Sequence, residues 1–482
     1  MHWQSIEMGK TSDRIRALRK SLQRELKDGA EKATWAMERV LDRRVCIGVT
    51  GLSGSGKTTL VTSILHQLHN PEVAQLPGFS PALSGGLLGT DILPLLDSGL
   101  PPFPFDASIQ ALSAEPPNWP ESTKEESAVE MHLHIKRPRA WRNKMHLAVE
   151  LRDYPGEWLM DIPLLSMDFQ HWCRQQNELL HEEPRKGLAG DLLQELGALD
   201  PSADCDPVAL AQLAERYRVF LQQCREQARL SYLQPGQVLM PPAGSDEIPA
   251  LFPLPALAAN FAEEAPRPGS WHAVMQAAYN DYCRDHVTPF VERQFRHIDR
   301  QLILVDLIGT LYAGEAAVRD MRMAFRHIAN AFEYGKGNFL TKLFRPRIEK
   351  LIFAATKSDQ VLAADHDALR QLLGQQLRQA FNSARISGLP LYCEAISAVR
   401  SSSEIVRGGR RILAGFDMQG RHLGFENAEI LPDLPASGGW QHYRDAAPPK
   451  LRPPTGLSAH AEIPHIRVDV LLNLLLGDKT GG

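Results

Sequence analysis

Residues 51 to 58 read Gly-Leu-Ser-Gly-Ser-Gly-Lys-Thr, between the β-rich run Arg-Val-Cys-Ile-Gly-Val-Thr at 44–50 and a helical pattern over 59–69. The pattern is G-x-x-x-x-G-K-[ST], which would arise by chance somewhere in a chain of this composition with a frequency of about 1 to 2%. A strand, a glycine loop and a helix in immediate succession leave little freedom. Small residues let backbone N–H groups curl around an anion, and the helix offers its positive N-terminal end to the same anion. Gly51, Ser53, Gly54, Ser55, Gly56, Lys57, Thr58 and Thr59 are therefore expected to hold the phosphates of a nucleotide. Lys57 brings a mobile charge to the β and γ phosphates and takes a catalytic role. The Thr58 hydroxyl is expected to ligate Mg²⁺.

Composition narrows the class. The chain has 482 residues, 53 basic and 57 acidic, for a formal net charge of −4. That near-balance excludes a mainly electrostatic nucleic-acid binder. A hydrophobic fraction of 43% with 23% charge is that of an ordinary globular protein, and the length predicts two to four compact units. Cys46, Cys173, Cys205, Cys224, Cys283 and Cys393 are dispersed with no Cys-x-x-Cys pair, and read as reduced, buried thiols. The polar N-terminus lacks the apolar core of a signal peptide, and Val468–Leu476 is too short to cross a bilayer. The expected location is the cytoplasm, with peripheral contact to the inner membrane only through a partner.

Along the chain, residues 1–43 predict a helix, with Ile15, Leu18, Leu22 and Leu26 at helical spacing. Residues 44–160 carry the phosphate loop and the loops that follow it. Residues 70–122 are loop-rich, and strands are expected at Val129–Ile135 and Met145–Leu151. Residues 161–300 turn helical, at about 165–183, 188–199, 205–233 and 270–298, with a Pro-rich extended stretch over 234–269. Residues 301–400 return to alternation: strands Gln301–Leu307, Lys350–Thr356 and Leu391–Ile396, helices Glu315–Glu333 and His366–Ala384. Residues 401–464 are irregular with a hairpin around Asp417–Gly420, and 465–482 close with a helix. Strand–helix alternation on both sides of a helical block predicts an α/β fold: a mostly parallel sheet with helices on both faces, interrupted by a large helical insertion and a smaller C-terminal hairpin insertion.

A second phosphate-site element is needed, an Asp at a strand end. Asp-x-x-Gly is expected about twice by chance and occurs four times, at Asp153, Asp306, Asp417 and Asp478. Order separates them. In a Ras-like G domain the Asp-x-x-Gly strand directly follows the single antiparallel strand. Asp153 does so, and is expected to hold Mg²⁺ while Gly156 N–H meets the γ-phosphate. Asp306 ends the next strand and is left as a residue lining the site. Thr356-Lys357-Ser-Asp359 follows an apolar strand and is similar to the [NT]-K-x-D guanine motif. Its Asp accepts both donors on the guanine N1/N2 edge, for which adenine has no counterpart. Lys357 can lay its stem along the base. Thr356 stands where Asn is commoner, which weakens a tie between this loop and the phosphate loop. Ser397-Ala398 lies where a last base-contacting loop should place a backbone N–H against guanine O6.

In this order the four elements make a Ras-like P-loop G domain. The chain resembles the YcjX family of bacterial P-loop NTPases, on the motifs Thr50–Thr58, Trp119-Pro-Glu-Ser-Thr123, Arg152–Leu159, Arg300–Asp306 and Thr356–Asp359. The resemblance covers essentially the whole chain, helical insertion included. It implies GTP and GDP as ligands, with Mg²⁺, and a setting in bacterial envelope stress.

Glu157 stands where Ras-like proteins place the Gln that orients water, and it is the candidate for that task; the alternatives are an outward position or a pair with Arg152. Thr123 is the candidate for the switch Thr that closes over Mg²⁺, ahead of Thr90. No catalytic arginine can be named: Arg137, Arg139 and Arg142 read as a solvated basic turn. His132 and His134 share a strand face but lack a third metal ligand. An unassisted GTPase of this kind is expected to be slow, a switch whose helical insertion engages a protein partner. The second reading is an interaction module with incidental turnover, and the third an ATP-using P-loop protein.

Overall fold

A computed structural model describes residues 44–52, 54–93, 95, 99–121, 125–136, 144–242, 244, 249–258, 265–333, 348–381, 389–436 and 438–480. The expected helix within 1–43, the basic turn at 137–143, Ser53 and Thr123 lie outside these residues.

β1 (Arg44–Gly51) is buried over almost its whole length and forms the centre of a seven-stranded sheet. The sheet also contains β2 (Leu87–Leu93), β3 (Ser127–Lys136), β4 (Lys144–Asp153), β5 (Arg300–Val305), β6 (Lys350–Ala355) and β7 (Leu391–Ala395), in the order β2-β3-β4-β1-β5-β6-β7. From β4 to β7 all neighbours are parallel, while β3 runs antiparallel to β4 and β2 antiparallel to β3. The continuous apolar runs in β1, β5 and β6 are what a strand covered on both faces requires. β3 instead alternates: Val129, Met131, Leu133 and Ile135 are buried, and the residues between them less so.

Helices cover both faces. Val45, Ile47 and Val49 pack with Leu60, Ile64 and Leu68 of the helix Lys57–His69 and with Leu471 and Leu475 of the closing helix Val468–Thr480. Cys46, Ile303, Val305 and Phe353 point the other way, onto the helices Glu157–Asp161, Leu307–Ala313, Glu315–Glu333 and His366–Ala380. This is the doubly covered, mostly parallel sheet expected.

Between β4 and β5 the chain forms the helices Phe169–Leu180, Asp191–Ala198, Pro207–Glu226 and Trp271–Tyr282 around a third apolar cluster that includes Phe169, Trp172, Tyr217, Phe220 and Tyr279. The third helix was expected to run to 233 but ends at Glu226. Arg229 adopts φ +53°, outside the helical range, and Ser231 N–H and Tyr232 N–H donate to the Asp320 carboxylate at 2.5 and 2.8 Å. Tertiary hydrogen bonds thus outcompete local helix continuation. The last expected helix is also divided, into Trp271–Tyr282, a π turn at Cys283–Val287 and Thr288–Arg293.

Two elements exceed expectation. β2 lies in a segment read as loop: its Gly89 and Asp91 carry little strand signal, and a register shift at Leu87/Gly89 marks an irregular edge strand. At the C-terminal end the hairpin at Asp417–Gly420 forms between β9 (Arg410–Phe416) and β10 (His422–Phe425), with Asp417 accepting Gln419 N–H and Arg421 N–H. A further strand, β8 (Ser402–Arg407), pairs with β9 through Gly408 and Gly409, both at positive φ. That Gly-Gly pair is a two-residue hairpin signal, readable in the sequence.

The helical segment is tied to the sheet layer by a buried pair. Arg185 lies 2.5 Å from the Asp320 carboxylate on the helix Glu315–Glu333, with side chains 8% and 3% exposed. Asp320→Ala leaves a buried guanidinium and two backbone donors without their acceptor. It is expected to lower unfolding stability by about 3 to 5 kcal/mol, read as a fall in the urea midpoint.

Candidate functional site

Steric economy builds the phosphate loop. A Cβ on Gly51 would lie 2.0 Å from Ser55 Oγ and 3.2 Å from Leu304 Cβ, so a side chain at the strand end would displace the Ser55 hydroxyl. Gly54 and Gly56 adopt φ +71° and +74°, which turns the chain back and starts the helix at Lys57. Leu52 N–H donates to Leu304 O at 3.0 Å, anchoring the loop on β5.

Asp153 ends β4 beside β1, 2% exposed, and its Oδ1 lies 2.5 Å from Lys57 Nζ. The next residues lock onto the loop. Tyr154 N–H donates to Val49 O, and Thr50 Oγ1–H donates to Tyr154 O. A Cβ on Gly156 would sit 2.4 Å from Gly51 O, so the two motif glycines are in backbone contact. Thr58 and Asp153, both buried, offer oxygen donors beside Lys57, a set suited to a hard cation such as Mg²⁺.

Glu157 lines the same cavity, of about 900 Å³. It does not point outward and does not pair with Arg152, which instead donates to Glu150 at 2.6 Å and to Arg293 O. The Glu157 partner is Arg225, in the last turn of the helix Pro207–Glu226, with Nε–H donating to Oε1 at 2.7 Å. The helix Glu157–Asp161 is further fixed through Asp161, wholly buried, which accepts Gly236 N–H, Gln237 N–H and the Tyr282 hydroxyl. A Cβ on Gly236 would lie 2.2 Å from Glu157 O.

Asp306 lines the cavity as expected. Its carboxylate accepts Lys357 Nζ at 2.7 Å, Arg229 Nη1 at 3.0 Å and Gly309 N–H at 2.9 Å. Burial works to raise this carboxyl, but Lys357 and Arg229 beside it hold it below the usual carboxylate range. The Lys357 nitrogen is therefore anchored by Asp306 at the far side of the phosphate loop. Thr356 ties only to the neighbouring strand, its N–H donating to Val305 O at 2.9 Å.

Asp359 is 5% exposed. Ser397 Oγ–H donates to Oδ1 at 2.7 Å, and Ser401 donates to Oδ2 through its N–H and its hydroxyl, at 2.9 and 2.7 Å. Ser397 N–H is engaged by Ile466 O, which leaves Ala398 as the N–H donor of the predicted base loop; Ala398 O in turn accepts Ser63 Oγ–H from the phosphate-loop helix. Gly51, Gly54, Ser55, Gly56, Lys57, Thr58, Thr59, Glu157, Thr356, Lys357, Asp359, Ser397 and Ala398 share the one cavity. Asp153 and Gly156 adjoin it through Lys57 and Gly51.

Several lining residues had no sequence signal: Arg225 and Arg229 from the helical segment, and Met418 and Ala447–Leu451 from the C-terminal loops. Trp119, in one of the family motifs, reaches across the cavity mouth with Nε1–H donating to Leu451 O at 2.7 Å. Thr90 lies in β2. His132 and His134 are engaged singly by Glu130 and Asp91.

A glycine loop at the end of a central parallel strand, an Asp-x-x-Gly turn on its neighbour and a Thr-Lys-x-Asp loop two strands away define a P-loop protein with a Ras-like sheet. Residues 45–480 match the YcjX-like family, DUF463, and the chain belongs to that family. A relative from Escherichia coli (strain K12), named Ras-like GTPase YcjX, is 34% identical over 462 residues, spanning 92% of this chain and 97% of the relative. One from Shewanella oneidensis with the same name is 30% identical over 477 residues, spanning 93% and 97%.

Burial pushes the Asp161 carboxyl up to about 7 from its usual value near 3.8, against the three donors that favour its charged form. The folded chain therefore keeps a proton that the unfolded chain gives up. The stabilisation from this site is full below the unfolded value, falls as pH rises, and is exhausted once pH passes about 7. Asp161→Asn titrates nowhere in this range. Its melting temperature is expected to fall less than that of the wild type between about pH 5 and pH 8, as scanning calorimetry would record.

Proposed function

We propose that this chain binds guanine nucleotide and hydrolyses GTP slowly, as a nucleotide-controlled switch. The observation that carries the reading is the Asp359 loop facing the same cavity as the phosphate loop. Each Asp359 carboxylate oxygen has two lone pairs. Ser397 and Ser401 orient the group and occupy three of these four lone pairs, one on Oδ1 and two on Oδ2; guanine N1–H and N2–H would take the open one on Oδ1 and, on Oδ2, the place of the rotatable Ser401 hydroxyl. An adenine in this place would leave buried acceptors unpaired, which disfavours ATP.

In this reading the loop N–H groups and Lys57 hold the phosphates. Thr58 and Asp153, with Thr123 from the switch loop, hold Mg²⁺, which when bound offsets charge on the β and γ phosphates. Gly156 N–H meets the γ-phosphate, and Glu157 orients the attacking water. The helix Glu157–Asp161 links the γ-phosphate position to the helical segment through Arg225, Gly236 and Tyr282. That segment is the part proposed to engage a protein partner, on the cytoplasmic side and in reach of the inner membrane through the partner. No helix among the described residues is long and apolar enough to cross a membrane. The setting in bacterial envelope stress rests on family resemblance.

Asp359→Asn puts an amide donor against a guanine donor. GTP affinity is expected to fall on the order of 100-fold. Xanthosine triphosphate, whose C2 carbonyl accepts where guanine's amino group donates, is expected to gain. Titration of both nucleotides checks this, and an unchanged GTP affinity overturns the base assignment. The switch reading further predicts that the helical segment reorients against the sheet between GDP-bound and GTP-analogue-bound crystals. Identical orientations would leave only a binding module.

A further inference from the structure

Resting on the GTPase reading above, we propose that Arg225 is the catalytic arginine of this site, supplied in cis by the helical segment. Two arginines of that segment reach into the nucleotide cavity, Arg225 from the last turn of the helix Pro207–Glu226 and Arg229 from three residues beyond its end. Their partners assign them different places. Arg229 is drawn to Asp306, which also holds Lys357 of the Thr-Lys-x-Asp loop, so it stands on the base-proximal side of the phosphate loop, near Gly54. Arg225 is drawn to Glu157, the residue directly after the glycine that touches Gly51. It therefore stands where the Asp-x-x-Gly turn meets the phosphate loop, the γ-phosphate end of the cavity.

The chemistry needs a group of this kind. As the bond from the γ-phosphorus to the β–γ bridging oxygen breaks and water oxygen bonds to the γ-phosphorus, negative charge builds on the bridging oxygen and GDP leaves with it, while a water proton passes to a phosphoryl oxygen, so the second product is inorganic phosphate. A guanidinium stays charged at every relevant pH and presents a planar fork that matches phosphoryl oxygens. The Glu157 carboxylate takes Nε–H of that fork and aims it. Gly236 packed on Glu157 O and the Asp161 hydrogen bonds hold the segment that carries Arg225 in register with the Asp-x-x-Gly turn. The arginine would thus travel with the switch helix, and closure of the segment would complete the site.

The test measures single-turnover GTP hydrolysis, GDP affinity and capture of GDP with aluminium and fluoride, a planar mimic of the transferring phosphoryl group, in the full chain. Arg225→Lys keeps an ion pair with Glu157 but not the fork, so it separates a catalytic role from a structural tie. It is expected to slow hydrolysis at least about 100-fold and to lose fluoroaluminate capture, with GDP affinity within about threefold of wild type. Arg225→Ala should match it. Arg218→Ala, on the same helix but paired with Glu215 outside the cavity, should keep fluoroaluminate capture. Wild-type hydrolysis with an Arg225→Lys rate within about threefold overturns this inference and leaves the GTPase reading intact. Equal losses of GDP affinity and rate assign Arg225 to ground-state binding and also overturn it. A wild-type chain that neither binds nor hydrolyses GTP defeats the reading beneath it.

Discussion

The backbone contact between Gly156 and Gly51 is the constraint from which the rest of the site follows. Gly156 has no room for a Cβ, which would lie 2.4 Å from Gly51 O, and a Cβ on Gly51 would displace Ser55 Oγ, 2.0 Å away. Because the two loops touch through backbone, any shift in the Asp-x-x-Gly turn is felt at the phosphate loop without the slack of a side chain. The helix that begins at Glu157 carries this contact outward, and Asp161 and Gly236 fasten the inserted segment to it.

Charge in the cavity is arranged as carboxylate–cation pairs. Asp153 lies against Lys57, Glu157 against Arg225, and Asp306 against both Lys357 and Arg229. Each carboxylate holds a cation at a chosen place in or beside the cavity. Such pairs are costly to desolvate, which argues for positioning rather than stability as their use. Asp306 shows the balance: burial alone would raise its carboxyl, and its two cations more than compensate.

The motifs were legible because local covalent rules set them. A loop that must adopt positive φ at Gly54 and Gly56 can be written with few other residues. The parallel strands β1, β5 and β6 could be read from their unbroken apolar runs, and β3 from its alternation. β2 could not, because an edge strand with Gly89 and Asp91 is specified by its partner rather than by its own pattern. The helix end at Glu226 was hidden for the same reason, since Asp320, far along the chain, supplies the acceptor that turns residues 231 and 232 aside.

From residues alone one could obtain the phosphate loop, the order of the strands that follow it, and the Thr-Lys-x-Asp loop, because each depends on spacing of a few residues along one stretch of chain. The partners of Glu157 and Asp306 were beyond that reach. Arg225 and Arg229 lie 68 and 77 residues from the carboxylates they meet, in a segment whose pattern says only that it is helical. An ion pair leaves no periodic trace in either stretch. Which charge meets which depends on how the inserted helices pack against the sheet, and that is decided only when the whole chain has folded.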